Sequence, residues 1–157
     1  PFSFFNVVSV SPPMVMFSSS TPKDTRHNAE TRGEFVVNIA TFDLRHAVNM
    51  TSAPLGPEES EAELAGLELT PSRVIATPRV LQAPIALECR YVKTVPLHTL
   101  DGATMQSAMI IGQVVSAFID DHLIVDGMVD LSKAGILSRL GYLDYGVLGE
   151  IFSLPKP

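Results

Sequence analysis

The second half of the chain most constrains what it can fold into. From Pro84 onward, residues 85–95, 104–118 and 122–125 are rich in β-branched and aromatic side chains, and Asp101-Gly102, Asp120-Asp121 and Asp126-Gly127 supply turns between and after them. Strands in succession joined by Gly-containing turns predict an antiparallel sheet closing into a barrel. Residues 131–140 read as a short helix, Gly141 to Gly146 as a loop with two tyrosines, and residues 149–154 as a last strand stopped by Pro155. The expected fold class is mainly β with peripheral helices.

In the first half, residues 1–10 read as a strand or extended arm broken by Ser11-Pro12-Pro13, and the apolar run Met14 to Phe17 reads as a buried strand. Three serines follow. Thr21 then reads as an N-cap, Pro22 as the first helical residue and Asp24 as the acidic partner of a capping box, giving a helix over 22–32 that stops at Gly33. A strand that delivers hydroxyls and free backbone N–H groups to the positive end of a helix is a natural holder of phosphate or another anion. Lys23 and Arg26 add charge of the right sign, although a capped surface helix after a serine turn would show the same residues. Ala29 is the one small apolar residue between Lys23 and Arg32, so this helix gains little from burying a face.

Residues 34–39 read as a further strand. Thr41 then reads as the cap of a second helix with Leu44, Ala47 and Val48 along one stripe. Residues 52–72, with Glu58, Glu59, Glu61 and Glu63, read as a surface excursion carrying a short helix near 60–65. Asn6 is an amide among apolar neighbours, able to offer a donor and an acceptor to a heterocycle.

Much chemistry is not signalled. The 157 residues contain no Gly-x-Gly-x-x-Gly, Walker or Gly-x-Ser-x-Gly pattern, the four histidines show no i, i+4 pairing, and the one cysteine, Cys89, cannot build a zinc site. Asp120, Asp121, Asp126 and Asp130 bracket a strand-like run, which favours turn chemistry over a metal. A net charge of −6 with scattered basic residues speaks against nucleic acid, and no apolar run reaches bilayer length. A lone cysteine makes a reducing, cytoplasmic location the simpler expectation.

The ordered series Pro1-Phe-Ser-Phe-Phe-Asn6, Pro12-Pro13-Met-Val-Met-Phe-Ser-Ser19, Lys23-Asp-Thr25 with Asn28, and Gly33-Glu-Phe-Val-Val-Asn38 resembles a known family. It continues through Ala65-Gly-Leu67, Pro78-Arg-Val80, Glu88-Cys89, Ile111-Gly-Gln-Val114, Asp126-Gly127, Arg139-Leu-Gly141 and Tyr145. The family is the flavin-reductase-like, FMN-binding split barrels of the group containing nitrilotriacetate monooxygenase component B and flavoredoxin.

The resemblance implies a homodimer of six-stranded antiparallel Greek-key split barrels, one domain over 1–157, with a further strand pair expected before Pro1. It implies FMN as cofactor (FAD being the other flavin), NADH or NADPH as hydride donor, and a flavin-dependent monooxygenase as acceptor. Ser18, Ser19, Ser20, Lys23, Asp24 and Thr25 would hold the phosphate. Phe5 and Asn6 would lie along the ring and ribityl chain, with Arg139 and Tyr145 approaching from the C-terminal loop. Where related proteins carry histidines, this chain has Ser107 and Phe118, which keeps open a non-catalytic FMN-binding or electron-carrier protein of the same fold. A dimerisation barrel without cofactor is the third reading.

Overall fold

The computed structural model describes residues 2–56 and 59–155. Pro1 of the first expected strand and Glu58 of the acidic excursion lie outside the described residues. The chain runs β1 (Phe5–Val10), β2 (Pro13–Ser19), α1 (Asp24–Arg32), β3 (Glu34–Asn38), α2 (Arg45–Met50), α3 (Glu61–Leu64), β4 (Leu69–Thr70) and β5 (Arg79–Val80). It continues with β6 (Ile85–His98), β7 (Thr104–Ile119), β8 (Ile124–Val125), β9 (Met128–Val129), β10 (Leu137–Gly141) and β11 (Asp144–Val147).

Five strands form one antiparallel sheet in the order β1-β2-β7-β6-β3. The long β6–β7 hairpin is its spine, and β2 and β3 flank it because α1 carries the chain from one side to the other. Beyond Arg90, opposite Glu34, β6 has no β3 neighbour, which is where Pro96 is tolerated. Alternation on β7 turns Ala108, Ile110 and Gly112 inward opposite Ser19, Phe17 and Val15 of β2. Val15, Phe17, Ala29, Phe35, Cys89 and Ile110 make the main core, with the Phe17 and Phe35 rings edge to face at 5.1 Å. A second cluster, Ile85, Leu123 and Ala134, closes the other end of the hairpin.

Cys89 is fully buried beside Glu88, and desolvation foremost, with that carboxylate second, pushes its thiol up to about 12. Native protein is therefore expected to be inert to a thiol-labelling reagent at neutral pH and to react at unit stoichiometry once unfolded.

Several expectations change. Residues 131–140 do not form a helix: one 3₁₀ turn, Leu131–Lys133, ends at Gly135 (φ 57°), and β10 follows. The run is pulled into strand because Ile136 bridges Thr41 and Leu137 to Gly141 pair with Val147 to Asp144. Gly141 to Gly146 is thus the turn and second strand of a hairpin rather than a loop. Thr41 is spent on that bridge, so α2 starts only at Arg45, with Leu44, Ala47 and Val48 half-buried against the protein. Residues 122–125 split into a 3₁₀ turn, Asp121–Leu123, and the two-residue β8. Residues 149–154 find no partner strand among the described residues, and without a ladder their backbone stays irregular, with Phe152 and Leu154 exposed.

Candidate functional site

The serine turn is built by β2 running out against the start of β7. The Ser18 N–H donates to the Phe4 carbonyl (3.0 Å), and the Ser18 carbonyl accepts from the Ser3 hydroxyl. Ser19 is buried and its hydroxyl donates to the Thr21 carbonyl (2.5 Å). Ser20 is exposed, and its carbonyl accepts from the Ser107 hydroxyl (3.1 Å). Every residue of the turn is thereby fixed from outside itself.

The capping expected at Thr21, Pro22 and Asp24 is not what forms. The Thr21 carbonyl, which a cap residue would offer to the first helical N–H, accepts from the Ser19 hydroxyl instead, so Thr21 and Pro22 lie outside the helix and α1 begins at Asp24. Lys23 occupies the cap position with extended backbone (φ −107°, ψ 162°), and no side chain caps the helix. The first intrahelical bond runs from the His27 N–H to the Lys23 carbonyl (3.0 Å). The N–H groups of Asp24, Thr25 and Arg26 therefore precede the ladder without a side-chain acceptor. Lys23, Asp24 and Thr25 are exposed, and Lys23 makes no ion pair or side-chain hydrogen bond among the described residues. An uncapped helix end, three fixed serines and one exposed ammonium suit a phosphate better than the capped helix expected from the sequence.

Arg26 is placed differently. Its Nε pairs with Glu30 Oε1 at 2.9 Å and its Nη1 donates to the Gln106 carbonyl at 3.3 Å. The Thr94 hydroxyl, and then Arg26, hold the Glu30 carboxyl below the usual range. Arg26 thus positions the helix, and the charge at its end falls to Lys23.

Phe5 and Asn6 lie on β1, opposite Phe17 and Met16. Asn6 is exposed rather than buried, and its Oδ1 accepts from the Val7 N–H (2.8 Å). Arg139 and Tyr145 are cross-strand partners on the β10–β11 hairpin. Arg139 Nη1 donates to the Tyr145 hydroxyl (3.1 Å) and Nη2 to the Tyr142 carbonyl (2.7 Å). The Phe2 ring meets Tyr145 at 6.0 Å. Since Ser3 and Phe4 are bonded to Ser18, the arm over residues 2–4 joins the hairpin to the serine turn. Thr94 takes part in this arrangement without any sequence signal that marks it, because it acts through a partner distant in the chain, and the contacts of Phe2 and Ser107 show only in the structure.

Two open clefts, of about 410 and 440 Å³, lie elsewhere, around Thr41 to Asp43 with Lys133 to Gly135, and around Val129 to Ser132 with Ile151. Neither is lined by a residue of the serine turn. The acidic group does turn chemistry: Asp120 accepts from His122, Asp130 from Ser132, and these bonds lower both carboxyls. Asp126 (φ 50°) and Gly127 (φ 78°) form the β8–β9 turn. No group of three metal-ligating side chains occurs among the described residues, and no described helix is long and apolar enough to cross a membrane.

Residues 1–132 match the family described as flavin reductase like domain, a span that ends before Arg139 and Tyr145. The whole chain aligns with 77% of the uncharacterized protein BH2278 of Halalkalibacterium halodurans at 40% identity over 162 residues. Among solved structures, nitrilotriacetate monooxygenase component B from Bacillus cereus superposes with a TM-score of 0.90 at 37% identity, covering 98% of this chain and 78% of that one. The 2-nitrobenzoate 2-nitroreductase NbaA of Pseudomonas fluorescens gives 0.84 at 29% identity, covering 98% and 74%. With its sheet order and the match over residues 1–132, the chain belongs to the flavin reductase like domain family and has that family's mainly β split-barrel fold.

Proposed function

We propose that residues 1–157 form one FMN-binding domain that works as an NAD(P)H-dependent flavin reductase, supplying reduced flavin or electrons to a partner oxygenase. The observation that carries this reading is the uncapped N-terminus of α1, set beside serines fixed by Phe4 and Ser107 and flanked by Lys23. Ser18, Ser19, Ser20, Lys23, Asp24 and Thr25 are the phosphate-binding set: Thr25 and the free N–H groups donate, Lys23 supplies charge, and Asp24 contributes its backbone N–H. Phe5 and Asn6 lie along the flavin, and Arg139 and Tyr145, cross-linked to each other, cover it from the same or a second chain. The redox chemistry belongs to the flavin, which accepts hydride from NADH or NADPH at N5.

A relative that is component B of a monooxygenase supports the oxygenase partner. Exposed Phe4, Val10, Leu140 and Leu143 support a homodimer, and a free buried Cys89 supports a cytoplasmic setting. Ser107 and Phe118, in place of the histidines of related proteins, favour the second reading, a non-catalytic FMN carrier.

The test is the visible spectrum of the protein with FMN, recorded anaerobically and again after NADH and then NADPH. The expected result is a flavin band that bleaches faster than the same FMN without protein, with one nucleotide ahead of the other. A band retained with both nucleotides establishes the carrier, and FMN that stays free removes the flavin reading.

A further inference from the structure

Helix α1 holds its place with little apolar burial, since Ala29 is the buried residue among its nine. A polar relay does the rest. Arg26 binds Glu30 Oε1 and the Gln106 carbonyl; the Thr94 hydroxyl donates to the same Glu30 oxygen at 2.7 Å; the Tyr91 hydroxyl donates to Thr94 Oγ1 at 3.1 Å. The helix is thereby tied to β7 through Gln106 and to β6 through Thr94. Gln106 precedes Ser107, which holds Ser20, so the helix and the serine turn are anchored to the same end of β7.

The relay exists because β6 carries a bulge. Residues three apart on a regular strand point to opposite faces. Here Tyr91 sits opposite Gly112 and Lys93 opposite Ile111, so Val92 is one extra residue. That insertion restores Tyr91 and Thr94 to one face, where the two hydroxyls meet each other and Glu30. Val92 itself is exposed at 45% and gains no burial from its place. What the bulge provides is aim.

We propose that Thr94, aimed by the Val92 bulge, is a positioning residue for phosphate recognition: through Glu30 and Arg26 it sets where the N-terminus of α1 stands relative to the serine turn. The inference rests on the reading of that turn as the FMN phosphate site. The free N–H groups move rigidly with the helix, and hydrogen bonds to an anion weaken steeply with misalignment, so a helix pivoting about Ala29 would bind phosphate less well. The relay also keeps the Arg26 guanidinium on Glu30, which leaves Lys23 as the cation at the helix end.

The experiment titrates FMN and riboflavin, which lacks the phosphate, into the wild type, Thr94→Val, Thr94→Ser and the double variant Lys23→Ala/Thr25→Ala. Valine keeps the shape of threonine and deletes the hydroxyl. The expected result is that Thr94→Val weakens FMN about fivefold, the size of one lost hydrogen bond, with riboflavin unchanged and Thr94→Ser restoring the wild-type value. Thr94→Val that binds FMN as tightly as wild type, while Lys23→Ala/Thr25→Ala loses tenfold or more, would overturn the relay and leave the phosphate site standing. Thr94→Val that weakens FMN and riboflavin alike, with serine failing to rescue, marks general damage to the barrel and overturns the positioning role. A double variant with undiminished FMN affinity overturns the phosphate site and this inference with it.

Discussion

Replacing Gly112 with alanine is expected to destabilise the protein by about 3 kcal/mol, the upper end of what overpacking a core costs. Gly112 lies on the inward face of β7, between Val15 of β2 and Tyr91 of β6. A Cβ there would stand 2.5 Å from Cζ and 2.6 Å from Cε1 of Phe35, and 3.0 Å from the Arg90 carbonyl oxygen. The strain is steric rather than conformational, because Gly112 is not among the glycines with positive φ. Phe35 cannot yield cheaply: its ring is held edge to face against Phe17, and both sit in the main core with Ile110. Thermal unfolding is the measurement, with a fall of roughly 10 °C expected for a chain of this size. Phe35→Leu in the alanine background should recover part of the loss, whereas it should cost stability in the wild type. A Gly112→Ala protein that melts with the wild type would show that Phe35 does not lie across the strand.

Gly112 lies inside the run 104–118 that reads as strand, but that Phe35 is the group approaching it is a matter of register, which the sequence does not show. The same division runs through the molecule. Features whose cause is local are legible: the long β6–β7 pair, Gly33 at φ 72° ending α1, the short helix near 60–65, which forms as α3, and the Asp126-Gly127 turn. Features decided by a distant partner are not. Residues 131–140 carry helical spacing and become strand because Thr41 and residues 144–147 claim their backbone. At the site, the serines and Lys23 announce an anion holder by composition alone. The relay behind them joins Glu30 to Thr94 across 64 residues and needs a bulge that shows only in the pairing of β6 with β7. Thr21 does not cap the helix because its carbonyl accepts from the Ser19 hydroxyl, a turn contact that the helix-start residues do not announce.

Glu88→Ala is expected to cost about 3 kcal/mol, because it leaves two backbone donors facing a buried position without their acceptors. Glu88 is buried on β6, and its two carboxylate oxygens accept from the consecutive N–H groups of Arg73 (2.8 Å) and Val74 (2.9 Å). These belong to the segment over residues 71–78, which leads into β5 and lies along the β3 edge of the sheet. Glu34 holds the same segment further on, accepting from the Thr77 N–H (2.6 Å) and hydroxyl (3.0 Å), and the Asn38 side chain accepts from the Val80 N–H (2.9 Å). Ile75 is its one buried apolar anchor. A segment with so little apolar burial is held mainly by its carboxylate acceptors, so losing Glu88 should loosen it before the barrel opens. Limited trypsin digestion reads this directly: cleavage after Arg73 should appear in Glu88→Ala under conditions where the wild type stays intact. Glu88→Gln keeps one acceptor oxygen and should fall between the two. Glu34→Ala, at a half-buried position, should cost less alone, and its combination with Glu88→Ala should depart from additivity because both act on one segment. Strict additivity, or an uncut Arg73 bond in Glu88→Ala, would mean that Ile75 and β5 hold the segment without the carboxylates.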